Sequence, residues 1–157
     1  MKKSKSKGLD LEKAINNTNL EYRKKGVAVI TKQATPFLVT NRGLIPQVST
    51  VDYMGIYVDS RQNVGNTVGI AFDAKETKSK TSFPFANIKD HQILFLNLWH
   101  NAGGRAFLLI NFTSTGDYYI LPITEVNRVL ETGKKSIKKT ELEKFKINKI
   151  EDYLDIL

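Results

Sequence analysis

The sequence predicts a single α/β domain, one central β-sheet flanked by helices. The chain has 157 residues, which suits one domain with one core. Segments of helical period and segments of period two follow each other in the order α, β, β, β, α, β, β, α. No internal repeat and no linker-like stretch divides them.

The first helix is expected over Asp10 to Lys25, with Asp10 as its N-cap. Leu11, Ile15, Thr18 and Tyr22 form its apolar stripe, and Gly26 stops it. "VAVIT" (27–31) reads as a strand. "ATPFLVTNRGLIPQVS" follows with two prolines and a glycine, a short stalk-like protrusion over 34–50. "TVDYMGIYV" (50–58) and "TVGIAFDAK" (67–75) read as a hairpin joined by the turn cluster "DSRQNVGN". "NIKDHQILFLNLWHNAGG" reads as a helix with Ile88, His91, Leu94, Phe95 and Leu98 on one face, ended by Gly103 and Gly104. "RAFLLINF" and "DYYILPI" are two more strands, and "TEVNRVLETG" is a short helix capped by Thr124. The tail from Lys134 starts strongly basic and is expected to hold one more helix. "MKKSKSKG" reads as a flexible basic arm over 1–8. No apolar stretch follows it, so it is not a signal peptide.

Basic residues number 24 and acidic ones 16, a net charge of +8. Such an excess on a small chain points to a polyanionic partner, nucleic acid before a membrane surface, because no basic amphipathic helix stands out. A basic surface without such a partner is the alternative. No cysteine is present, which excludes disulfides, thiolate catalysis and thiolate metal sites and is compatible with a cytoplasmic location. No apolar run reaches the roughly 18 residues of a membrane span. His91 and His100 are the only histidines, and their spacing of nine is not that of a helical zinc pair.

The chemistry concentrates at "FDAKET". Residues i and i+2 of a strand share a face, so Asp73 and Lys75 point together. Asp52 interrupts the partner strand, and the hairpin can bring it close to Asp73. Two close carboxylates repel, and burying one unpaired costs several kcal/mol. A divalent cation offsets both penalties, and Mg²⁺ is commonly held by one or two carboxylates, waters and phosphate oxygens. Lys75 can then hold a water or neutralise phosphoryl charge. The alternative is a surface ion pair worth roughly 0–1 kcal/mol, and the triplet alone does not decide between them.

The longer string "VDYMGIY…FDAKETKSKTSFPFANIKDHQ" resembles the central signature of RecU-type Holliday junction resolvases, in the PD-(D/E)xK nuclease superfamily. "GLDLEKAINNTNLEYRKKGVAVITKQATP", "GGRAFLLINF", "YYILP" and "KKSIKKTEL" extend the likeness to nearly the whole chain from about Gly8. The resemblance implies a restriction-endonuclease-like core and Mg²⁺- or Mn²⁺-dependent cutting of four-way DNA junctions by a homodimer, with a recombinase as a further possible partner. It implies Asp52, Asp73 and Glu12 as metal-binding acids, Lys75 as the motif lysine and Gln92 as a site-facing glutamine. Lys32 and Thr35 match the family's "K…TP" and are placed near DNA, as is Arg42 in the protrusion. Lys78 and Lys80 follow the strand as phosphate contacts or as a solvated loop, and the same two readings hold for Lys134, Lys135, Lys138 and Lys139.

Three departures stand out: Asp73 replaces an expected Glu, the Asp52–Asp73 interval of 21 residues is long, and the protrusion is shorter than the family's stalk. The other readings are a non-cleaving DNA-binding recombination protein on the same fold, or a restriction-like nuclease acting on other DNA structures.

Overall fold

A computed structural model describes residues 8–47, 50–60 and 66–157. Most of the expected arm, residues 48–49 of the protrusion and most of the 59–66 turn lie outside the described residues. The elements are α1 (Gly8–Lys24), β1 (Ala28–Lys32), β2 (Phe37–Thr40), β3 (Gly43–Pro46), β4 (Tyr53–Val58), β5 (Thr67–Thr77), β6 (Ser82–Pro84), α2 (Asp90–Asn101), β7 (Arg105–Phe112), β8 (Asp117–Pro122), α3 (Ile123–Glu131), β9 (Ser136–Lys138), α4 (Lys139–Leu142) and β10 (Lys146–Ile147). Short 3-10 turns lie at Phe85–Asn87, Glu143–Phe145 and Ile150–Asp152.

The central sheet is mixed and six-stranded, in the order β1-β4-β5-β7-β8-β10. Only β5 and β7 run parallel, because α2 carries the chain back between them. Alternation along β5 divides two apolar layers. Ile70 and Phe72 face α1, packing with Leu11, Ile15, Tyr53, Phe107 and Tyr153. Ala71 faces the other way, toward Leu96 of α2 and Val126 and Val129 of α3. Asp73 and Lys75 share the parity of Ala71 and therefore stand on the α2 side. Phe72 is stacked between Tyr53 and Phe107, with ring centroids 4.8 Å apart on each side. These contacts fix the backbone beside Asp73 from the opposite face.

The expected α/β architecture is present, with local corrections. Helix α1 begins at Gly8, so Asp10 sits in its first turn and does not cap it. Strand β4 begins at Tyr53, leaving Asp52 just outside it. Helix α3 begins directly after Pro122, whose φ of −58° suits a helix entry, and Thr124 lies within the helix.

The buried face of α2 matches the expected one only in part: Ile88, just before the helix, is buried and Phe95 packs inward. Leu96 is fully buried and Ile93 and Trp99 pack inward, whereas Leu94 and Leu98 are exposed. Gln92, Leu96 and Trp99 follow i, i+4, i+7 spacing, and the inward polar residue at 92 disguises that stripe. His91, expected in packing, is exposed. In the tail, a helix of only four residues forms, flanked by β9 and β10. Ile137 and Phe83 are both fully buried, which draws "SIK" into an antiparallel ribbon with β6.

Gly55 lies opposite Ile30 where β4 passes β1. A Cβ at Gly55 would stand 2.1 Å from the Val29 carbonyl oxygen and 2.6 Å from the Ile30 Cα, so only backbone separation could admit it. Gly55→Ala is expected to destabilise the protein by about 1–3 kcal/mol, as overpacking does. Urea unfolding should show a lower midpoint with an unchanged slope.

Candidate active site

The ladder between β4 and β5 ends at the pair Tyr53–Phe72. The next β5 amide toward β4 is that of Ala74, and it donates to Asp52 Oδ2 at 2.9 Å. A side-chain carboxylate thus takes the place of a backbone carbonyl where the strand pairing stops. The Asp52 carbonyl accepts the Gln33 amide at 2.7 Å, which ties the residue to the end of β1. Asp52 is therefore held at both ends, beside Asp73.

Asp73 is fully buried. Its Oδ1 accepts from Gln92 Nε2 at 2.9 Å. Its Oδ2 lies 2.6 Å from Lys75 Nζ. That approach is an ion pair too oblique for a hydrogen bond, and no other donor among the described residues reaches this buried oxygen. Gln92 Oε1 accepts from Lys75 Nζ at 3.0 Å and from the Lys89 amide at 3.0 Å. One glutamine thus satisfies an orphan amide at the start of α2 and joins the acid to the lysine.

Burial, and then the charge of Asp52, push the Asp73 carboxyl up from its ordinary 3.8 to about 6, while Lys75 pulls the other way. A carboxylate that Lys75 and Gln92 do not fully compensate is a place where a cation is favourable. Among the described residues no three His, Cys, Asp or Glu side chains converge on one metal position. Two carboxylates suffice for Mg²⁺ when water and phosphate oxygens complete the set, so Asp52 and Asp73 fit that ion.

Glu12 is placed differently. Its carboxylate pairs with Lys32 Nζ at 2.5 Å, and α1 packs on the sheet face opposite Asp73 and Lys75. The Tyr53 hydroxyl, at 3.5 Å, donates to the Glu12 carbonyl, so α1 still borders the start of β4 at Glu12. Lys32 itself stands opposite Tyr53 in the β1–β4 ladder. Thr35 is exposed in the segment leading to β2. Arg42 is exposed in the turn of the β2–β3 hairpin, its amide donating to Thr40 Oγ1 at 3.2 Å.

Lys78 and Lys80 are exposed in the loop after β5. That loop is ordered by its own hydroxyls. Thr77 Oγ1 accepts the Ser79 amide at 3.2 Å, and Ser79 Oγ accepts those of Thr81 and Ser82 at 3.3 and 3.1 Å. Sequence reading missed that β6 and β9 bring the tail lysines against this loop. The period-two "KSIK", with one apolar residue between polar ones, was the available signal.

The chain matches the family Recombination protein U, RecU, over residues 6–157. A protein named Holliday junction resolvase RecU from a Geobacillus species is 35% identical over 156 residues, covering 89% of this chain and 74% of that one. Its namesake from Staphylococcus epidermidis is 36% identical over 154 residues, covering 88% and 70%. A third, from Staphylococcus carnosus, is 37% identical over 146 residues, covering 85% and 66%. Among solved structures, Archaeoglobus fulgidus Hjc, titled a Holliday junction resolvase, matches with a TM-score of 0.49 and 14% identity over 83% of this chain and 90% of that one.

The raised Asp73 carboxyl has a pH signature. In the folded state it keeps its proton to about pH 6, whereas in the unfolded chain it loses it near 3.8. Between those values the folded state binds more protons, so stability falls as pH rises. In EDTA this group is expected to remove up to about 3 kcal/mol between pH 4 and pH 7. Millimolar Mg²⁺ at pH 7.5 should restore much of it. Thermal melts across pH, with and without Mg²⁺, check this, and Asp73→Asn should lose both the fall and the Mg²⁺ response.

Proposed function

The chain belongs to the RecU family of recombination proteins, and on that premise we propose that it is a Mg²⁺- or Mn²⁺-dependent endonuclease that cuts four-way DNA junctions. One observation carries the reading: a buried carboxylate with a raised pKa, joined to Lys75 through Gln92 and facing a second carboxylate. The family relatives bear the name Holliday junction resolvase. No helix among the described residues is long and apolar enough to cross a membrane. Action on DNA in the cytoplasm, with a recombinase as a further protein partner, fits the same reading.

Asp52 and Asp73 would hold the ion. When bound, it supplies an acidified water and neutralises charge on the phosphoryl oxygens. Lys75, 15% exposed in its side chain, is held between Asp73 and Gln92 with its ammonium at the edge of the site. There it can orient the attacking water or stabilise charge on the phosphate as it builds. Gln92 fixes the Lys75 ammonium and the Asp73 carboxylate relative to each other. Glu12 neutralises Lys32 beside the first strand and would enter the site only if that pair opened on DNA binding.

With labelled linear, flapped and four-way substrates in Mg²⁺ or Mn²⁺, four-way junctions are expected to be cut in preference. Asp73→Ala and Lys75→Met should each slow cutting by at least about 10²-fold, the scale of removing one group that stabilises transition-state charge. Binding measured in EDTA should persist. Intact binding with no cleavage by the native chain would overturn the nuclease reading, and equal cutting of all three substrates would overturn junction preference.

Symmetric cutting of two strands requires two sites, and C₂ is the commonest symmetry that supplies them, so a homodimer is proposed. Light scattering at working concentration should give the dimer mass. A stable monomer there would remove the paired-site geometry.

A further inference from the structure

We propose that Lys135 and Lys138, together with Lys78 and Lys80, form a track that binds the phosphates of a duplex DNA arm leading away from the active site. The inference deepens the reading above and rests on it for the identity of the polyanion.

The four lysines at the start of the tail are not equivalent. Lys139 lies 2.5 Å from Asp117 Oδ2, donates to Thr115 Oγ1 at 2.7 Å, and sits 5.3 Å from the centroid of the Phe112 ring. Lys134 pairs with Glu141 at 3.0 Å. Both cations are already neutralised within the fold. Lys135 and Lys138 are exposed and make no ion pair among the described residues, the charge of Lys138 reaching Glu141 only at longer range, and Lys78 and Lys80 likewise make none.

The β6–β9 ribbon sets where these free cations stand. Its register pairs Ser82 with Lys138, Phe83 with Ile137 and Pro84 with Ser136. Phe83 and Ile137 are fully buried, so alternation turns Ser82, Ser136 and Lys138 outward on one face. The Lys139 amide bonds the Thr81 carbonyl at 2.7 Å, and the Phe85 amide bonds the Lys135 carbonyl at 2.9 Å. Lys138 is thereby stapled beside the Lys78–Lys80 loop, and Lys135 stands at the far end of the ribbon.

That loop begins at Thr77, about 7 Å along the strand from Lys75 at ordinary strand rise. Its internal hydroxyl bonds order it before any ligand arrives. Lysines and serine hydroxyls are phosphate-contact chemistry. The ribbon's aromatic residue, Phe83, is buried, and so is Phe85 just after it, so the outward face offers no stacking platform. This favours a duplex backbone over splayed single-stranded bases.

The test is the salt dependence of binding. A fluorescent four-way junction is titrated by anisotropy in EDTA, where no cutting occurs, between about 50 and 200 mM KCl, a range over which phosphate-contacting proteins lose affinity steeply. For Lys135→Gln/Lys138→Gln, the slope of log affinity against log salt should fall in magnitude by about 2, roughly 1 per lost phosphate contact. Lys135→Arg/Lys138→Arg should keep the native slope. Lys24→Gln/Lys149→Gln removes the same charge from lysines that sit by Glu21 and Asp152, at the end of α1 and before the last 3-10 turn, and should leave the slope near native. An unchanged slope in the first variant, or an equal fall in the last, would overturn the track. A failure of the nuclease reading would show separately, as no cutting by the native chain in Mg²⁺ while this salt dependence stands.

Discussion

Strand β5 must satisfy two opposite demands over four residues. Phe72 is locked between two aromatic rings on the α1 side, and each such contact is worth about 0.5–1.5 kcal/mol beyond area burial. One residue on, Asp73 is a fully buried acid on the α2 side. Because the period of a strand is two, neither residue can shift without moving the other to the wrong layer. The apolar stack therefore holds an acid that has no exposed surface of its own. The raised Asp73 pKa is the electrostatic cost of that placement.

The surrounding structure compensates that cost in part, with polar groups that each serve twice. Asp52 ends the β4–β5 ladder by accepting the Ala74 amide and, from the same position, adds negative charge beside Asp73. Gln92 satisfies the Lys89 amide at the start of α2 and bridges Asp73 to Lys75. The folding requirement and the site geometry are thus met by the same bonds. Buried polar networks of this kind rigidify when every member is paired. Here one Asp73 oxygen keeps only an oblique ion pair, and that incomplete pairing is the feature that favours a cation.

Much of the sheet was legible because its strands carry strong periodicity. The hairpin of β4 and β5, the shared face of Asp73 and Lys75, and the nearness of Asp52 all follow from alternation and turn residues. On α2, Leu94 and Leu98 are exposed where the pattern puts them inward, because Gln92 is polar and a periodicity reading assigns polar residues to solvent. Its inward placement depends on Asp73 and Lys75, which are distant in sequence. The tail holds the further helix expected of it, but at only four residues, although lysine and glutamate are good helix formers. Burial of Ile137 against Phe83 overrides that local preference, as tertiary context often does. The Glu12–Lys32 pair was invisible for the same reason: it joins a helix to an edge strand 20 residues away.

The short acid at position 73 fits this network. A Glu there would place its carboxylate one methylene farther from the strand. With Asp, the carboxylate stays close to the backbone, within 2.9 Å of Gln92 Nε2 and 2.6 Å of Lys75 Nζ. Gln92 projects from a helix that begins only two residues earlier, at Asp90, so its position is set by the segment joining β6 to α2. That segment is pinned in turn by the Phe85 amide bonding the Lys135 carbonyl. The pairing of β6 with β9 therefore bears on two things at once: where the tail lysines are displayed, and how far a carboxylate on β5 must reach to meet its glutamine. A chain with a longer acid at this position would need α2 set farther from the sheet, and such a shift would draw Trp99 away from Gly104, whose missing Cβ is what lets the indole lie against the backbone there.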